Sequence, residues 1–156
     1  MKRLFALFFA VAVVLLIGGC SGSEAKNVSL PKVMSDIKQK ITNTQMMDLS
    51  ESDLMPNYGI SSNDVKQFSV YTDSTGAKGD EIILIQGKDS QAAQRIKEKL
   101  ESRYKQKETE MKDYLPQEYA MLKKCRVRQD GSYVSLIVSP QQNELQKIYL
   151  SEIGVS

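Results

Sequence analysis

Carboxylates, tyrosines and two cysteines are the residues able to do chemistry in this chain, because histidine is absent. Without imidazole there is no histidine general base, no Ser-His or Cys-His dyad and no histidine metal ligand. Asp80 and Glu81 are adjacent carboxylates at a loop–strand junction. Two converging carboxyl groups are the machinery of acid–base hydrolysis. Neighbours in a strand point to opposite faces, so regular geometry makes one a structural carboxylate and leaves the other solvated. With Asp73 they offer oxygen ligands to a cation, but the spaced Asp/Asn/Gly run of a calcium loop is missing, so no metal is expected. Tyr58 and Tyr114 stand at element ends, where an aromatic ring either flanks a groove and stacks on a sugar or peptide or packs half-buried. Tyr58, Asp80, Glu81 and Tyr114 together are the candidate surface site. No residue is assigned a catalytic role. The serines include no Gly-x-Ser-x-Gly elbow and the glycines form no phosphate loop, so no cofactor is expected.

The first cysteine has a different setting. Lys2 and Arg3 precede a fourteen-residue apolar run, Leu4 to Ile17, which ends at Gly18, Gly19 and Cys20. A cationic stretch, an apolar stretch and small residues before a cleavage point are the order of an export signal. The run falls short of the roughly 20 residues a permanent span needs. Ile17-Gly18-Gly19-Cys20 resembles the lipobox of bacterial lipoproteins, with Ile and Gly where Leu and Ala or Ser are commoner. That resemblance implies cleavage between Gly19 and Cys20 and a diacylglycerol thioether on the Cys20 sulfur, with palmitate-type acylation and a place on the outer face of the cell membrane. Residues 1–19 are then a signal peptide, 20–29 a lipidated N-terminus with a polar tether, and 30–156 one domain. At about 3.5 Å per residue, Ser21 to Asn27 reaches roughly 25 Å from the anchor.

Composition changes when that signal is set apart. The whole chain carries 21 Lys and Arg against 19 Asp and Glu. Two of the cations, Lys2 and Arg3, fall in residues 1–19 and no carboxylate does, so the remainder balances at 19 and 19. A neutral domain has no electrostatic case for nucleic acid or for anionic lipid. A charged fraction of 26% and a hydrophobic fraction of 41% fit a folded globular chain. With Cys20 acylated, Cys125 is the one thiol left. It opens an apolar alternation and reads as a small buried hydrophobe on a strand.

The elements that must position these residues follow from periodicity. Ser29 and Pro31 start an amphipathic helix over about 31–43, with Val33, Met34, Ile37 and Ile41 on one face. Residues 44–64 are irregular, with a short helical turn around Ser50–Leu54 broken by Pro56 and Gly59. Residues 65–72 alternate as a half-buried strand. Residues 81–86 are apolar on both faces, which fits a central strand covered on two sides. Ala92, Ala93, Ile96, Leu100, Tyr104, Met111 and Leu115 trace a long helix to about Asp113. Its other face, from Lys97 to Lys112 and including Arg103 and Lys107, reads as solvated, with i,i+4 pairs at Glu101–Lys105 and Glu108–Lys112. A short helix over 116–123 turns Tyr119 and Leu122 inward. Asp130-Gly131 joins two further strands, and 142–153 is a last helix. Two hairpins joined by a long helix predict an α+β domain, with a four-stranded, mainly antiparallel sheet and helices at both chain ends.

Four short motifs then carry a resemblance: Tyr58-Gly59-Ile60, Asp80-Glu81-Ile82, Tyr114-Leu115-Pro116 and Gly131-Ser132-Tyr133-Val134. In that order, behind the lipobox, the chain over residues 30–152 resembles an uncharacterised family of small Gram-positive lipoproteins built on a domain of unknown function. The resemblance implies no activity and no catalytic residue. The residues themselves leave two readings: a non-enzymatic, membrane-tethered module that binds an envelope protein or glycan, or a carboxylate-based hydrolase of envelope glycans.

Overall fold

A computed structural model describes residues 25–155. The signal segment and Cys20 lie outside the described residues. Five helices are present: α1 (Leu30–Lys38), α2 (Leu54–Tyr58), α3 (Ser90–Lys112), α4 (Pro116–Leu122) and α5 (Gln142–Ile153). Five strands join them: β1 (Met46–Asp48), β2 (Val65–Asp73), β3 (Glu81–Gly87), β4 (Val127–Asp130) and β5 (Tyr133–Val138). All neighbouring strands are antiparallel, in the order β1-β2-β3-β5-β4. The fold is α+β as expected, but the sheet has five strands, not four.

The fifth strand, β1, comes from the stretch that showed no regular pattern. Three residues are too few for an alternation to register. They become a strand because β2 leaves its outer edge open, and Met46–Asp48 pairs against Tyr71–Asp73. Helix α1 stops at Lys38, five residues before the expected end, so that the chain can turn back to that edge. The Lys38 ammonium then bonds Asp48 at 2.5 and 2.7 Å and sits 4.3 Å from the centre of the Tyr71 ring. Pro56 does not break the helical turn near Leu54. It lies in the first turn of α2, where a missing N–H costs nothing, and Gly59 at φ 66° ends that helix.

The sheet is covered on both faces. Every residue of β3 is buried, because alternate side chains feed two separate cores. Val70, Ile83, Ile85, Val134 and Leu136 face α2, α3 and α4. Ile82, Leu84, Tyr133 and Ile137 face α1 and α5. At the second hairpin the turn itself is Gly131-Ser132, with Asp130 the last strand residue. Gly131 takes φ 62° and Ser132 does not, the pattern of a type II′ turn. Cys125 is buried as expected but precedes β4 rather than lying on a strand. It donates to the Met121 carbonyl, and burial pushes its thiol pKa up.

Residues 25–29, read from sequence as the end of a tether, lie along the body. Lys26 N–H donates to the Ile153 carbonyl at 2.7 Å. The Tyr133 hydroxyl donates to the Lys26 carbonyl at 3.0 Å and accepts from Val28 N–H at 3.2 Å. Gln67 holds the same segment from β2, donating to the Val28 carbonyl and accepting from Leu30 N–H.

Candidate functional site

Two of the four candidate residues, Tyr58 and Glu81, meet in one buried network. Glu81 opens β3 on the α3 side of the sheet and is 1% exposed. Its carboxylate accepts from the Tyr58 hydroxyl at 3.1 Å. Arg103 of α3 donates to both oxygens, from Nη2 at 3.1 Å and Nε at 3.4 Å. Lys107, one turn further along α3, places Nζ 3.5 Å from Oε2 and donates to the Gly79 carbonyl at 3.3 Å. The Arg103 guanidinium also lies 5.8 Å from the Tyr58 ring centre.

The protonation states follow from these contacts. Burial, then the Glu81 charge, pushes the Tyr58 phenol well above its ordinary range, so it stays a donor. Burial works against the Arg103 charge, but the Glu81 carboxylate outweighs it and raises the guanidinium pKa. A carboxylate with two cations and a hydroxyl on it is satisfied as an acceptor, which is the condition for keeping such a charge inside. The network ties α2, β3, α3 and the loop before β3 together. Both Glu81 oxygens are engaged by groups of the protein itself.

Arg103 and Lys107 were read as part of a solvated face, and both positions depart from it. Lys107 is 5% exposed, and the Arg103 side chain is largely covered. The signal was present: Ile96, Leu100, Arg103, Lys107 and Met111 share one helical phase, and the apolar stripe has a gap where Lys107 stands. A buried cation there requires a buried anion opposite, and Glu81 is in register to supply it. The two expected i,i+4 pairs are also replaced. Glu101 pairs with Lys97 at 3.5 Å and Glu108 with Lys123, just past the end of α4, at 2.8 Å.

The other two candidate residues stand apart from this network. Asp80 is 3% exposed. Burial, then the nearby Glu118 carboxylate, raises its pKa. Glu118 of α4 accepts from Gly79 N–H at 2.8 Å, which fastens the loop end between α3 and α4. The expectation of one structural and one solvated carboxylate is therefore corrected: both are buried, Glu81 because α3 covers its face of β3 and Asp80 because the loop end it occupies is fastened against α4. Tyr114, at the corner between α3 and α4, is 84% exposed and neither flanks a groove with Tyr58 nor packs half-buried.

Surface clefts among the described residues are lined by other side chains. One of 310 Å³ lies between α3 and residues 125–127 and includes Glu101, Tyr104, Glu108 and Cys125. One of 430 Å³ lies between Gln117–Lys124 and Ser139–Asn143 and includes Glu118. Two more, of 400 and 300 Å³, adjoin Glu51–Met55 and the Asp64–Arg95 ion pair. Among the described residues, no group of three or more Cys, Asp or Glu side chains is placed to hold a metal ion. No helix among them is long and apolar enough to cross a membrane.

No curated protein and no solved structure matches the chain. A family profile does, over residues 39–139, from the end of α1 through β5. That span covers the whole sheet and the Tyr58–Glu81–Arg103–Lys107 network. It is well over half the chain, which therefore belongs to the family described as a domain of unknown function, DUF4358.

Proposed function

We propose that this protein is a membrane-anchored extracytoplasmic lipoprotein whose folded domain is a non-enzymatic interaction module. The anchoring half of the reading rests on Lys2, Arg3, the apolar run and Ile17-Gly18-Gly19-Cys20. The docking of residues 25–28 onto Tyr133 and Gln67 adds to it. From Cys20 to Ala25 there are five residue steps, at most about 18 Å of extended chain. A lipid on Cys20 would hold the C-terminal end of α5 near the bilayer.

The observation that carries the interaction half is the occupancy of Glu81. Its oxygens are taken up by Tyr58, Arg103 and Lys107, the arrangement of a structural tie. Tyr114 is the candidate residue left free for contact, and an exposed aromatic is a common anchor in protein and glycan recognition. Radiolabelled palmitate should enter the wild-type chain and not Cys20→Ala; equal labelling would refute the anchor. A photo-crosslinker at position 114 should capture an envelope protein or wall polymer, while one at exposed Glu110 should not.

One observation favours a hydrolase of envelope glycans as a second reading. Asp80, whose pKa is raised by burial and by the nearby Glu118 carboxylate, lies beside that residue, and Glu118 lines the 430 Å³ cleft; two neighbouring carboxyls are the minimum equipment for acid–base hydrolysis. Glycan cleavage that is lost in both Asp80→Asn and Glu118→Gln would favour it over the interaction module.

A further inference from the structure

We propose that the outer edge of β4 pairs with β4 of a second copy of this chain, antiparallel and centred on Gln129. Strand β4 ends the sheet order, so its outer side has no strand partner among the described residues. The two-residue turn makes Asp130 and Tyr133 a hydrogen-bonded pair, and such pairs alternate along an antiparallel ladder. Arg128 is thus bonded inward to Ser135. Val127 and Gln129 direct their N–H and C=O groups outward.

Side-chain charge selects the occupant and the register. An edge defended by lysines alone repels a second copy. Strand β4 instead carries one cation and one anion two residues apart on one face, Arg128 and Asp130, paired at 2.9 Å. In the register centred on Gln129, Arg128 of each copy stands opposite Asp130 of the other, and four charges of alternating sign form a closed square. Directly opposed unlike charges stabilise a strand pair, and like charges destabilise it. A register centred on Arg128 pairs Asp130 with Arg126 but sets the two Arg128 guanidiniums against each other at its centre, and one centred on Asp130 opposes two carboxylates. A register centred between residues sets outward groups against inward ones and makes no ladder. Gln129 opposite Gln129 satisfies both the hydrogen-bond parity and the charges. A ladder this short covers far less than the roughly 1,200 Å² of a stable interface, so the pairing is transient in dilute solution and gains weight where copies are concentrated on one surface. The edge chemistry itself does not depend on the Cys20 anchor.

The test uses the full chain with Cys20→Ser and Cys125→Ala, so that an introduced cysteine is the only thiol. Copies of Gln129→Cys lie directly opposite, within disulfide reach, whereas copies of Arg126→Cys lie roughly 20 Å apart in this register. Under mild oxidation the first should form disulfide dimers at least about tenfold faster than the second. Adding Arg128→Asp to Gln129→Cys should slow the reaction, and the swap Arg128→Asp/Asp130→Arg should restore it. Circular dichroism checks that each variant is folded. Equal rates at positions 129 and 126 overturn the proposal. So does a folded swap that fails to restore the rate, or cross-linking of position 129 only to a different protein added from envelope extracts.

Discussion

The two faces of this sheet solve the same burial problem with different chemistry. Toward α3, the β3 strand carries a carboxylate inward and two helical cations meet it, so the face is locked by charge. Toward α1 and α5 the interior is mostly apolar, and its buried polar groups, Gln86, Ser135 and the hydroxyls of Tyr133 and Tyr149, carry no charge. One of the two hydroxyls, that of Tyr133, is used twice, to hold the Lys26–Val28 backbone. The other, Tyr149, is buried with no hydrogen bond of good geometry among the described residues, Ser135 being its nearest polar neighbour. The difference teaches where specificity lies. An ion pair inside is costly unless complete, so the α3 face tolerates few arrangements of its parts. The apolar face tolerates repacking of similar volume.

Breaking the charged face has the largest expected effect. Glu81→Ala leaves Arg103 and Lys107 facing each other without an anion, and should cost about 3–5 kcal/mol in urea unfolding. Replacing all three residues together, Glu81→Leu with Arg103→Leu and Lys107→Met, should recover most of that loss. If the single and triple variants are equally unstable, the network is not a charge-balanced unit.

Tyr133→Phe is the middle case. It removes both hydroxyl bonds to the N-terminal segment and should cost about 1–2 kcal/mol. The loss should be local, with faster amide exchange at Lys26 and Val28 and unchanged exchange in β3. The smallest effect belongs to Tyr149→Phe. Its hydroxyl is desolvated and makes at best a poor hydrogen bond to Ser135, so removing it should change stability by less than about 0.5 kcal/mol or raise it. A loss as large as that of Tyr133→Phe would show that the two hydroxyls are equivalent, and would remove the contrast between used and unused groups.

Much of the architecture was legible because its signals are local. The long helix, both hairpins, the doubly apolar β3 and the C-terminal helix follow from residue spacing that any segment of the chain carries within itself. The edge strand β1 was not legible, because its three residues become a strand only through the open side of β2. The candidate site was legible in part. Tyr58 and Glu81 were singled out and do meet, yet their partners Arg103 and Lys107 were read as surface charges. A charged residue on a helix is normally solvated, and the exception is visible only as a cation in phase with an apolar stripe. Tyr114 shows the reverse, an aromatic at a helix end that finds nothing to pack against.

By itself the sequence determined the α+β class, the exclusion of histidine chemistry, the charge balance of the region after residue 19 and the lipobox-like motif at Cys20. These depend on composition and on neighbours along the chain. Only the tertiary structure decided that Asp80 and Glu81 are both buried, that Lys107 is an interior cation, and that residues 25–28 belong to the folded body. Each of these depends on a helix or strand far away in sequence covering the residue in space. The local pattern cannot contain that information, because burial is a property of the packed layers and not of the segment.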